Sequence, residues 1–118
     1  MTPELLRRRL ATFAQDVRRL AEPLVEKLAT RDCALQLMRS SSSAAANYRA
    51  ATRARSHAEF TAKLGLALEE ADETLFWLEH IRNCRLAVPV STTLLDEADQ
   101  LVAILTAARS TAKRKGGR

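Results

Sequence analysis

An all-α fold, an antiparallel up-down-up-down four-helix bundle in one domain, is what this sequence predicts, and three observations predict it. Glycine and proline are scarce at three each, and Gly116 and Gly117 fall at the end, so Gly65 is the single glycine of the body. Too little punctuation remains for a set of short strands. Apolar residues recur at alternating spacings of three and four, which gathers them on one face of a helix. The periodic stretches are joined by short breaks, which makes consecutive helices antiparallel neighbours. Helices are expected at about 3–28 with a break near 23, then 32–52, 57–83 and 92–112, in a domain spanning 1–112 with a basic disordered tail at 113–118.

The first helix opens on Thr2 and Pro3, a cap followed by a residue pre-set for the first turn. Leu6, Leu10, Phe13, Val17, Leu20 and Leu24 form its seam. Pro23 lacks an amide proton and its ring clashes with the preceding turn, so the helix breaks there, leaving a short piece to Leu28. In the second helix Gln36, Ser40, Ser43 and Asn47 share one stripe, where small polar groups let a neighbour come close. Periodicity on both sides of the serine run distinguishes it from a linker.

Ser56 and Glu59 have the spacing of a capping box and start the third helix. Phe60, Leu64, Ala67, Ala71, Leu75 and Leu78 form its core face, and Leu66, Glu70, Glu73 and Trp77 a second stripe. Pro89 bars continued helix, and Ser91, Thr92 or Thr93 can cap the fourth. Leu94, Ala98, Leu101, Leu105 and Ala108 make its seam, widened by Leu95 and Val102, while Asp96, Glu97 and Asp99 suit the positive end of its dipole. Folding helices two and three back about residue 54 sets Arg39 beside Glu69 or Glu70, and Gln36 beside Glu73.

Charge is segregated along the chain. The net +5 divides into +2 over residues 1–30, +4 over 31–55, −3 over 56–90 and +2 over 91–118, so adjacent basic and acidic helices can neutralise each other. Cys33 and Cys84 are isolated and lack metal-ligand spacing, which points to a reducing cytoplasm without an essential disulfide. No apolar run approaches the ~20 residues of a membrane span, and the stretch around Arg7, Arg8 and Arg9 lacks the apolar core of a signal peptide. A cytoplasmic protein with no membrane partner is expected.

Catalytic chemistry finds little support. A di-iron bundle site requires Glu-x-x-His on each of two helices, and neither His57 nor His80 has a glutamate three residues earlier. No histidine shares a helix with Ser40 to Ser43, and no glycine-rich turn exposes them as nucleophiles. We therefore expect no catalytic residue, metal or cofactor. A carboxylate held against Leu66 and Trp77 would be pushed up in pKa unless paired, so Glu70 and Glu73 are expected to be fixed partners of Arg39 and Gln36.

Three basic clusters carry the other functional signal: Arg7, Arg8 and Arg9; Arg49, Arg53 and Arg55; and Arg109, Lys113, Arg114 and Lys115. Repeated by symmetry in an oligomer, they would form a belt for a phosphate backbone. With aromatics at 4%, contact would be sequence-tolerant rather than built on base stacking. Helices three and four carry more apolar surface than a lone bundle consumes, and Leu66 and Trp77 are candidate subunit contacts.

The segments QLMRSSSSAAANYRAATRARSHAEF and KLGLALEEADETLFWLE resemble the small four-helix-bundle proteins named for genes in intervening sequences of 23S ribosomal RNA genes. The resemblance covers about residues 10–110. Its most specific positions on helix two are Gln36, Leu37, Arg39, Ser43 and Asn47. On helix three they are Phe60, Leu64, Ala67, Glu70, Glu73, Thr74, Trp77 and Leu78. Where the family commonly has Ile after the serine, and a Glu followed by Gly or Ala beyond the asparagine, this chain has Ala44, Ala50 and Ala51.

The resemblance implies a bundle that assembles into a ring, typically a pentamer, with no established activity. More distantly, the chain is similar to the accessory protein of diversity-generating retroelements, a pentameric bundle that works with a reverse transcriptase and nucleic acid. The expected function is therefore a non-enzymatic homo-oligomer that binds nucleic acid or serves a nucleic-acid enzyme. A purely structural or protein-binding ring and a bundle metalloenzyme are the alternatives.

Overall fold

Three of the four long helices open on a side chain that satisfies their first free amides. In the computed structural model, which describes residues 1–84 and 89–116, the Leu5 amide donates to Thr2 Oγ1 at 3.1 Å and opens α1, Pro3–Ala21. The Glu59 amide donates to Ser56 Oγ at 3.0 Å and opens α3, His57–Asn83. The Leu94 amide donates to Ser91 Oγ at 3.1 Å and opens α4, Thr92–Gly116. The capping box is used from one side, since the Glu59 carboxylate turns to Arg55 at 3.7 Å instead.

Between α1 and α2, Arg31–Thr52, the chain makes a 3₁₀ helix, Glu22–Glu26. Pro23 sits in it and ends α1 two residues earlier, as a ring without an amide proton requires. The extra piece expected to reach Leu28 stops at Glu26, and Leu28 is 87% exposed. Thr30 closes the connection, its buried hydroxyl donating to the Leu24 carbonyl at 2.7 Å.

The helices follow one another up and down in a four-helix bundle of 50 × 21 × 21 Å. Its core runs through Leu10, Phe13, Val17, Leu37, Leu64 and Leu78 and on to Leu101 and Leu105, all fully or almost fully buried. Ala34, Ala44, Ala67, Ala71 and Ala98 lie among them and let the helices approach closely. Small residues thus replace large rings, and Phe13 is the one aromatic ring fully inside. Burying a leucine or phenylalanine side chain contributes about 1.5–3 kcal/mol, so each large residue of this seam makes a substantial stabilising contribution.

Helix α1 is short, and that shapes one end of the molecule. Arg9 reaches Glu97 and Gln100, which sets the start of α1 level with the middle of α4. Of the helix pairs in contact, α1 and α4 meet least. The last turns of α4 pack on α3, where the His57 ring nitrogen donates to the Ala112 carbonyl at 2.8 Å.

Two expectations are corrected here. Residues 113–116, expected in a disordered tail, continue α4, and Gly117 and Arg118 lie outside the described residues. Lysine and arginine in a last helical turn face the negative end of the dipole and favour helix there. Asp96 and Glu97 lie beyond the first turn of α4, where the dipole effect has faded, and Glu97 serves as the partner of Arg9. Of the expected connection at 83–89, residues 85–88 lie outside the described residues.

Candidate functional site

The antiparallel pairing of α2 and α3 brings together the polar residues of their facing stripes. Arg39 Nη1 donates to Glu70 at 2.9 Å, its Nη2 to Glu73, and its Nε to Gln36 at 2.9 Å. The Glu73 bond comes first in holding this guanidinium above its usual range. Trp77 Nε1 donates to Glu73 at 3.3 Å, completing the cluster. The expected direct pair of Gln36 with Glu73 is replaced by one through Arg39.

Beneath this cluster lies a buried pair that the sequence reading did not single out. The Ser40 and Thr74 hydroxyls are 2.7 Å apart, and Thr74 also bonds the Glu70 carbonyl at 2.9 Å. The remaining two stripe residues do not cross to a neighbour: Asn47 Nδ2 donates to the Ser43 carbonyl and hydroxyl, at 2.9 and 3.1 Å, within α2.

The three basic clusters have different fates. Arg7 and Arg8 both pair with Glu4, at 2.7 and 3.2 Å, and Arg9 pairs with Glu97 at 2.5 Å. Arg55 faces Glu59 at 3.7 Å. Among the described residues, no carboxylate lies within ion-pair distance of Arg49, Arg53, Arg109, Lys113, Arg114 or Lys115. All six sit at the end formed by the last turns of α2 and α4 beside the start of α3.

A groove of about 830 Å³ opens at that end between α3 and α4. Its floor holds Ala58, Ala62, Gly65 and Leu66, and Arg109 and Lys113 stand on its α4 side. The Arg109 guanidinium lies over Gly65, where an added Cβ would come to 3.1 Å from Nε. Its Nε is buried with no hydrogen-bond acceptor. An interior glycine costs a helix about 1 kcal/mol relative to alanine, and the close approach of Arg109 is the local reason for one here.

An aromatic cluster occupies the other end of α3. Phe76 stacks on His80 with centroids 5.7 Å apart, and the Trp77 ring stands edge-on to Phe76 at 5.0 Å. Phe76 is 54% exposed and Leu66 43%, whereas Trp77 is half-buried. Phe76 was missed because it lies between the two stripes read from the sequence. Among the described residues no three of His, Cys, Asp and Glu converge on a metal position, and no helix is long and apolar enough to cross a membrane.

Residues 7–107 match the family of 23S rRNA-intervening sequence proteins. This chain belongs to that family. It is also similar to a solved structure, a protein of unknown function from the S23 ribosomal protein family of Bacteroides thetaiotaomicron VPI-5482. The two share 26% identity at a TM-score of 0.81, covering 93% of this chain and 99% of the other. Curated proteins give no match. The Arg39 cluster falls inside the region matched to the family, whereas Arg109, Lys113 and Lys115 lie beyond its last matched residue, 107.

Proposed function

We propose that this protein is a non-enzymatic, homo-oligomeric bundle, a pentameric ring in the cytoplasm, whose cationic end contacts nucleic-acid phosphates, directly or as adaptor to a nucleic-acid enzyme. The observation that carries the reading is the gathering of Arg49, Arg53, Arg109, Lys113, Arg114 and Lys115 at one end without carboxylate partners among the described residues. Ring symmetry would repeat that end once per subunit and turn a modest patch into a belt. Arg7, Arg8 and Arg9 contribute less, because Glu4 and Glu97 already neutralise them. The exposed Phe76, with Trp77, supplies apolar surface for subunit contact, whereas Leu66, the other contact candidate of the sequence, lines the groove between α3 and α4. The S23 ribosomal name of the solved relative agrees with a nucleic-acid setting.

Fluorescence anisotropy of a labelled single strand, titrated at about 50 and about 200 mM salt, tests the reading. Six contacted phosphates per chain predict a log–log salt slope of about −4 for single strands. Absence of binding at the lower salt rejects nucleic acid as the ligand. Light scattering tests the assembly, where Phe76→Glu and Trp77→Glu should each lower the mass. Unchanged mass in both variants removes this face as the subunit contact.

A further inference from the structure

The groove between α3 and α4 is an open trough that sets exposed apolar surface beside the charges of the cationic end. Its volume of about 830 Å³ falls within the range of small-ligand sites, and it lies open to solvent. Its floor is small and apolar, its α4 wall carries Arg109, Lys113 and Lys115, and the one carboxylate on its lining is Glu69. The wall favours an anion and the floor a flat apolar body. Glu69 adds an acceptor, which repels phosphate but suits a hydroxyl or an amine.

We propose that this groove binds a nucleotide unit, with its phosphate held by Arg109 and the two lysines and its base resting on Ala58, Ala62 and Leu66. The buried Nε of Arg109 has no acceptor in the folded chain. That Nε is closed off against Gly65, so a phosphate in the groove meets the outer Nη groups of the guanidinium, whose charge no carboxylate among the described residues neutralises. Gly65 sets that guanidinium in place, since a Cβ there would press on Nε at 3.1 Å. His57 fixes the α4 wall rather than contacting ligand, because its Nε2–H is committed to the Ala112 carbonyl at 2.8 Å. Glu69 accepts from a ribose hydroxyl or an exocyclic amine, which separates a nucleotide from inorganic phosphate. The inference rests on the nucleic-acid reading above for the nature of the ligand, and the chemistry is the same for a free nucleotide and for one within a strand.

Nuclear magnetic resonance of the full chain tests it, with adenosine monophosphate, inorganic phosphate and a short single-stranded oligoadenylate as probes. Adenosine monophosphate should shift the Gly65, Leu66 and Ala112 amides and the Arg109 Nε–H signal. Inorganic phosphate should bind at least about tenfold more weakly. Arg109→Gln should weaken the nucleotide at least about tenfold. Ala62→Phe, at an exposed position on the floor, should block it while leaving the helical spectrum intact. The proposal is overturned if adenosine monophosphate leaves these signals unmoved, or if it binds Arg109→Gln as tightly as the parent. Oligoadenylate binding with silent groove signals overturns the groove and spares the cationic belt. Nucleotide in the groove without strand binding supports the groove and removes the belt.

Discussion

Arg39 and Arg109 both lie against α3, yet the chain treats them in opposite ways. Arg39 makes bonds to Gln36, Glu70 and Glu73, and the buried pair of Ser40 and Thr74 lies beneath it. Arg109 rests on a bare glycine backbone with its Nε buried and unbonded. A charge surrounded by partners fixes the register of two helices and has little left to offer a ligand. A guanidinium with no carboxylate within ion-pair distance among the described residues keeps its outer N–H groups for a ligand. The difference separates a structural cluster from the proposed site.

The largest effect should come from the layer beneath Arg39. Thr74→Val leaves the Ser40 hydroxyl buried without a partner and should cost about 1–3 kcal/mol in urea unfolding. Adding Ser40→Ala should recover most of that loss, because both polar groups are then gone. A double variant as unstable as the single one would show that packing, not hydrogen bonding, sets the cost.

Gly65→Ala comes next and probes the other region. Helix propensity favours alanine by about 1 kcal/mol, and the atom in its way is the end of a flexible side chain. Stability should therefore rise by up to about 1 kcal/mol while nucleotide affinity falls as Arg109 is displaced. Gain in both would place Arg109 outside the site.

The smallest effect near neutral pH concerns neither region, which sharpens the comparison. Burial pushes the Cys33 thiol above its usual 9.0 and the Tyr48 phenol above its usual 10.0. The folded chain then keeps protons that the unfolded chain releases. Their contribution is complete below about pH 9 and is lost as the pH rises toward the folded values. Urea unfolding at about pH 7 and about pH 10 should show the decline, and a thiol reagent at neutral pH should label exposed Cys84 well before buried Cys33.

How far the sequence reached follows the same division. The Arg39 cluster was legible because antiparallel register is simple arithmetic: folding back about residue 54 brings Glu70 to Arg39. The break at Pro23 was legible because proline leaves the helix no choice. The groove was not, because its key residue acts through a missing side chain, and no periodicity reveals that Gly65 makes room for Arg109. The basic residues Lys113 to Lys115 were a readable signal for helix at its C-terminal end, but the hydrogen bond from His57 to Ala112 that adds to it joins residues 55 positions apart and was not. Phe76 escaped because an exposed ring between two faces belongs to neither pattern.

Measuring adenosine monophosphate binding and unfolding free energy on Arg39→Gln and Arg109→Gln side by side tests the division most directly. Arg39→Gln should lose up to about 1 kcal/mol per broken surface pair and bind nucleotide like the parent. Arg109→Gln should keep or slightly gain stability, as a buried unpaired N–H disappears, and bind at least about tenfold more weakly. Equal binding by both variants, or the greater binding loss in Arg39→Gln, would contradict the account.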